Sequence, residues 1–127
     1  MARDERVICA SADLAEAGPG VRFEVGTPGG PLAAFAVRVL GGMVCAYVNR
    51  CPHMGTELDW QPGDFFEESG LYLVCATHGA LFEPATGYCV AGPCRGATLA
   101  RVAIRENDGQ VLLLNETSPA QEPDATP

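Results

Sequence analysis

The two histidines of this 127-residue chain each follow a cysteine at close range, as Cys51-Pro52-His53 and Cys75-Ala76-Thr77-His78. Two thiolates and two imidazoles are the donor set of a [2Fe-2S] cluster in which cysteines hold one iron and histidines the other. A centre of that kind moves single electrons. The same donors would also suit one tetrahedral zinc ion. Zinc fingers, however, group two cysteines together and two histidines together, whereas here the types alternate. Pro52 fixes its own φ and restricts Cys51, which stiffens the first loop. Gly55 and Gly79 follow the two histidines, let the backbone bend sharply, and let amide groups approach cluster sulfurs. Such N–H···S bonds raise a cluster's potential by stabilising the added electron.

Short strands must carry these loops. The chain has 15 glycines and 10 prolines, with apolar runs between them. Strands are predicted at 6–10, 21–25, 32–40, 43–48, 71–74, 98–104 and 110–114. Gly41-Gly42 and Asn107-Asp108-Gly109 read as hairpin turns. Ser11 reads as the cap of a single helical turn that Gly18-Pro19-Gly20 ends. The pattern predicts an all-β fold, an antiparallel sandwich or barrel base. Residues 49–96 are loop-rich, hold all four donors and form an inserted cluster-binding subdomain. Residues 1–115 make a single domain, and 116–127 read as a disordered tail.

Sixteen acidic residues oppose eight arginines, and there is no lysine, for a net charge of −8. That balance argues against nucleic acid and anionic membranes as partners. No apolar leader follows the charged start, and the longest uncharged stretch, 69–82, has 14 residues, too short to span a bilayer. A soluble, cytoplasmic chain is expected. Reduced thiols are then the default. Cys9 and Cys45, in apolar strand-like runs, read as buried inert thiols. Cys89 and Cys94 could ligate, form a disulfide or pack, and packing is the expectation.

The boxes Cys51-Pro52-His53-Met54-Gly55 and Cys75-Ala76-Thr77-His78-Gly79, followed by Leu81-Phe82, Gly87, Cys89 and Gly92-Pro93-Cys94, resemble the Rieske-type ferredoxins. These include carriers of ring-hydroxylating dioxygenase systems and proteins like the nitrite reductase small subunit. The likeness spans roughly 7–114. It implies a Rieske-type fold with one [2Fe-2S] cluster per chain. Cys51 and Cys75 would ligate the buried iron, His53 and His78 the outer iron near solvent, and Gly92-Pro93 would cover the cluster from a third side. Cys89 and Cys94 would flank that proline loop without binding metal. The interval between His53 and Cys75 holds 21 residues, a few more than is usual in the family, and the excess falls in 61–70. Respiratory-chain members join their two ligand loops by a disulfide, whose places here are Thr56 and Thr77. Their hydroxyl donors after the second histidine correspond to Ala80 and Phe82. With those donors missing, the potential is expected near the low end of the Rieske range, about −150 to +300 mV.

The resemblance implies a soluble one-electron carrier passing electrons from a flavin or iron-sulfur reductase to an oxygenase or similar acceptor, with no independent catalysis. A small redox subunit of a larger reductase and a zinc-binding interaction module are the alternatives. An oxygenase would need a mononuclear iron site, and no histidines remain for one. Six acids (Glu57, Asp59, Asp64, Glu67, Glu68, Glu83) and no base lie between Cys51 and Cys94. They form either a solvated loop or a surface that steers the chain toward a basic docking face. Met54, Leu58, Trp60, Leu81 and Phe82 are expected to pack around the site and keep it dry; for Trp60 the alternative to core packing is an exposed docking residue.

Overall fold

The computed structural model describes residues 6–52 and 55–114; His53, Met54 and the predicted tail lie outside them. Among the described residues, nine strands form three antiparallel three-stranded sheets. β1 (Arg6–Ala10), β9 (Gln110–Leu113) and β8 (Ile104–Asn107) make the first; β2 (Val21–Thr27), β3 (Gly30–Arg38) and β4 (Val44–Val48) the second. β5 (Leu73–Val74), β6 (Leu81–Phe82) and β7 (Cys89–Ala91) make the third. The fold is all-β, as expected.

Successive side chains of a strand point to opposite faces, and that alternation builds two cores around the middle sheet. From β3 and β4, Ala34, Ala36, Ala46 and Val48 join Val25, Val102, Val111 and Leu113 in one core. Phe35, Val37, Cys45 and Tyr47 face the other way, into a core with Phe65, Leu73, Phe82 and Leu99. A strand buried on both faces reads as a continuous apolar run, which is why 34–37 has no polar residue. The second core contains Cys51 and Cys75, so the middle sheet is the floor on which the candidate site is built.

The hairpin between β8 and β9 closes through Asp108 and Gly109, both at positive φ (52° and 78°), the two-residue turn whose twist suits paired strands. Between β3 and β4, Gly41 and Gly42 both sit at φ 104°. Arg38 clasps the base. Its guanidinium donates to the carbonyls of Leu14 (2.7 Å), Gly42 (2.7 Å) and Ser11 (3.1 Å) and pairs with Glu106 at 2.7 Å. That hydrogen bond holds the Glu106 carboxyl below the usual carboxylate range.

Three expectations need correcting. Residues 98–103 are not a strand: they run along β4, with the Val48 and Val102 N–H groups donating to Ala100 and Ala46 (2.8 and 2.9 Å), and hand the chain from one core to the other. Leu99 lies in the site core and Val102 in the base core. Pairing as a strand begins only at Ile104. Only 73–74 of the predicted 71–74 pairs, because Leu71 and Tyr72 are exposed. The helical turn is a short 3-10 turn, Ser11–Asp13, and its cap is not Ser11: Asp13 accepts from the Ala10 N–H at 3.2 Å.

Candidate metal centre

The two ligand boxes fold into loops closed in the same way. In the first, the Cys51 N–H donates to the Thr56 carbonyl (2.7 Å) and the Gly55 N–H to the Cys51 carbonyl (2.7 Å). In the second, the Cys75 N–H donates to Ala80 (2.9 Å) and the Gly79 N–H to Cys75 (2.8 Å). Gly55 and Gly79 sit at φ 76° and 74°, a backbone state costly for any side chain. Each cysteine therefore stands at the base of a tight reversal. Cys51 is 2% exposed and Cys75 1%, and neither is in a disulfide. His78 is exposed on the second loop. His53 lies outside the described residues.

The loops are tied to each other. The Ala76 N–H donates to the Leu58 carbonyl at 2.9 Å. The hydroxyls of Thr56 and Thr77 lie 3.3 Å apart, so a hydrogen bond joins the places where the resemblance expects other family members to carry a disulfide. The third segment, 92–96, closes on the second loop: a Cβ on Gly92 would meet the Ala80 Cα at 2.7 Å. Ala80 and Phe82 are fully buried and carry no hydroxyl. The nearby Tyr47 hydroxyl is committed to the Pro84 carbonyl at 2.7 Å.

A buried polar network pins the first loop, and sequence reading did not single it out. Asn49 donates to Asp59 (3.0 Å) and accepts from the Leu58 N–H (2.8 Å). The other Asp59 oxygen accepts from the Gly63 N–H (2.9 Å) and lies 3.6 Å from Arg22. Arg22 also pairs with Glu57 at 2.6 Å. The only local signal was an asparagine and an aspartate flanking a ligand box. Their pairing with Arg22 of β2 is a long-range fact. It changes the reading of the acidic segment, because Asp59 is buried and both Asp59 and Glu57 face Arg22, so two of the six acids are engaged within the fold.

Trp60 is the clearest correction. It was expected in the core and is 72% exposed. Leu58 and Asp59 take the inward positions, one for packing and one for the network, and Trp60 is left facing solvent. Leu58 and Phe82 are fully buried as expected, and Leu81 is partly buried. Cys45 is buried, whereas Cys9 is only partly so. Burial raises the pKa of both.

The 61–70 insertion packs on the floor. Phe65 stacks on Phe35 at 3.9 Å between ring centroids, and the Gly20 N–H donates to the Gly63 carbonyl at 2.8 Å. The sulfurs of Cys89 and Cys94 are 2.9 Å apart. Burial, the contact with Cys89 and the nearness of Cys51 push the Cys94 thiol up to about 12. Among the described residues, which leave out His53, no three His, Cys, Asp or Glu side chains meet closely enough to hold a single ion. No helix among them is long and apolar enough to cross a membrane.

Comparison with known proteins matches this arrangement to one family. The family model of the Rieske [2Fe-2S] domain matches residues 4–115. The Sphingomonas yanoikuyae B1 ferredoxin superposes with a TM-score of 0.67 at 25% identity, over 87% of this chain and 98% of that one. The terminal oxygenase of carbazole 1,9a-dioxygenase from Novosphingobium sp. KA1 gives a TM-score of 0.67 at 28% identity, over 87% of this chain and 29% of that one. A chain from the complex of reduced oxygenase and oxidized ferredoxin in carbazole 1,9a-dioxygenase shares the fold at 21% identity and a TM-score of 0.66, covering 91% of this chain and 96% of that one. The chain spans under a third of the oxygenase it matches and nearly the whole of the ferredoxin. Among curated proteins there is no match. The chain belongs to the Rieske [2Fe-2S] domain family, and its cofactor is a Rieske-type [2Fe-2S] cluster that carries electrons.

Proposed function

We propose that Cys51 and Cys75 hold the inner iron of the cluster and His53 and His78 the outer one, and that the chain passes single electrons from a reductase to an oxygenase or similar acceptor. The observation that carries the ligand set is the pairing of two identically closed loops, each with a buried cysteine outside any disulfide at its base, on one shared core. His78 is exposed. A metal-bound imidazole keeps one ring nitrogen for a partner or solvent, so the electron leaves by that side. The apolar wall of Leu58, Phe82 and Ala80 keeps the thiolate side dry, and the absence of hydroxyls at 80 and 82 supports a potential near the low end of the Rieske range.

The oxygenase acceptor is suggested by the solved ferredoxin and oxygenase complexes of carbazole 1,9a-dioxygenase that share this fold. Trp60, close in sequence to the first loop and open to solvent, offers an aromatic docking contact. Asp64, Glu68 and Glu83 remain as exposed acids for steering. One observation favours the second reading, a fixed subunit of a larger reductase. Leu40, Leu71 and Tyr72 are exposed and line an apolar cleft of about 310 Å³ with Pro84 and Ala85, a surface suited to a permanent partner.

The test is anaerobic purification, counting of iron and acid-labile sulfide, and EPR of the reduced protein. Two irons and two sulfides per chain are expected in the wild type, with iron lost in Cys51→Ala and Cys75→Ala. Stoichiometric zinc without sulfide overturns the proposal, and so does full cluster loading in either variant.

A further inference from the structure

Cys89 and Cys94 have no part in the proposed ligand set, yet their sulfurs are 2.9 Å apart, about 0.9 Å more than an S–S bond of ~2.05 Å. Both thiols are free. Cys89 is 0% exposed and Cys94 7%. The backbone already holds the pair face to face: the Cys89 N–H donates to the Ala97 carbonyl (2.8 Å), the Gly96 N–H to Cys89 (3.1 Å) and the Ala97 N–H to Cys94 (2.9 Å). Closing the bond therefore needs side-chain rotation and little backbone movement. The two cysteines differ in access. Cys94 sits in a loop whose neighbours Pro93 and Arg95 are exposed, so an incoming disulfide reaches it first, and Cys89 lies behind it.

We infer that Cys89 and Cys94 form a reversible dithiol–disulfide switch on the wall of the cluster site, oxidised by a low-molecular-weight disulfide. The Cys94 sulfur gives up its proton as it attacks one sulfur of R–S–S–R, forming Cys94–S–S–R while the departing sulfur takes up that proton as R–SH. The Cys89 thiolate then attacks the Cys94 sulfur, breaks that mixed bond and releases a second R–SH. The protein loses two protons and two electrons, and the oxidant gains both.

The switch reaches the cluster through Cys51. Cys94 and Cys51 are buried in the same core, and in the dithiol state the Cys94 S–H, which donates to Cys89 at 2.9 Å, is part of the wall around the proposed ligand. The disulfide has no S–H. Donors to cluster and ligand sulfurs raise the potential, so oxidation of the pair lowers it. This second half rests on Cys51 being a ligand.

The experiment treats the holoprotein anaerobically with oxidised glutathione, quenches in acid, alkylates, and maps peptides without reduction. A second portion is taken through a redox titration monitored by EPR. An 89–94 disulfide together with a lower midpoint potential is expected, both reversed by dithiothreitol. The Cys89→Ser variant is expected to keep its iron and lose the response of the potential. Free, alkylated Cys89 and Cys94 after treatment overturn the proposal, as does glutathione left on Cys94 alone. A disulfide with an unmoved potential overturns its role as a switch. Peptide mapping does not depend on the cluster, so wrong ligands show separately, as iron retained in Cys51→Ala.

Discussion

The two loops that carry the Cys-His boxes share one backbone design and are secured by different means. Both close through paired cysteine and glycine amides, and both place glycine at φ near 75°. The first loop is anchored by polar groups: Asn49 and Asp59, both taken out of water, and the more exposed Arg22 tie it to β2 and to the start of the insertion. The second is anchored by close packing, with Ala80 against Gly92 and its strands running on into β5 and β6. Polar anchoring specifies one arrangement but fails sharply when a partner is lost, because the remaining groups are buried without water. Packing tolerates chemical change and fails when volume is added.

Substitutions can separate these two modes. The largest effect is expected from Asp59→Ala, which strands the Gly63 N–H and the Asn49 amide and leaves Arg22 facing no Asp59 carboxylate. A loss of about 3 kcal/mol is expected, read as a lower denaturant midpoint with reduced iron content. If Asp59→Ala loses less than about 1 kcal/mol, the first loop is held by its own turn and the contrast fails. Gly92→Ala comes next. A Cβ there meets the Ala80 backbone, and φ is 101°, so about 2 kcal/mol is expected. The readout is the rate of bleaching of the visible absorption in mild urea, expected to rise roughly 30-fold. The smallest effect sharpens the comparison. Gly55→Ala and Gly79→Ala both force an L side chain into positive φ with nothing within 4 Å to clash, and each should cost about 1 kcal/mol. Equal thermal shifts would show that the two reversals are equivalent and that only their anchors differ. Unequal shifts would put the asymmetry in the turns themselves.

Much of the fold was legible because it is written in local patterns. Apolar runs between glycines and prolines marked the strands of the base, and Asp108-Gly109 marked a turn that only two positive-φ residues can make. The ligand boxes were legible because Cys, His and Gly at short range leave few other readings. The site sheet was less so. β6 and β7 have two and three residues, too few to show a period. Trp60 was misplaced for a similar reason: its burial depends on whether Leu58 and Asp59 turn inward, and that is decided by Asn49, Gly63 and Arg22. The acidic segment read as a uniform surface, yet Asp59 is buried beside an arginine 37 positions earlier in the chain.

Residue order alone settled the class of chemistry, the all-β architecture and the positions of the two tight reversals, since each depends on neighbours within a few residues. The folded chain decided what secures those reversals: Asp59 against Arg22, Phe65 on Phe35, Thr56 beside Thr77, Gly92 on Ala80, Cys94 against Cys89. Most of these pairs join residues far apart in the chain. A contact of that kind forms only when packing and desolvation over the whole core offset the entropy of closing the intervening loop.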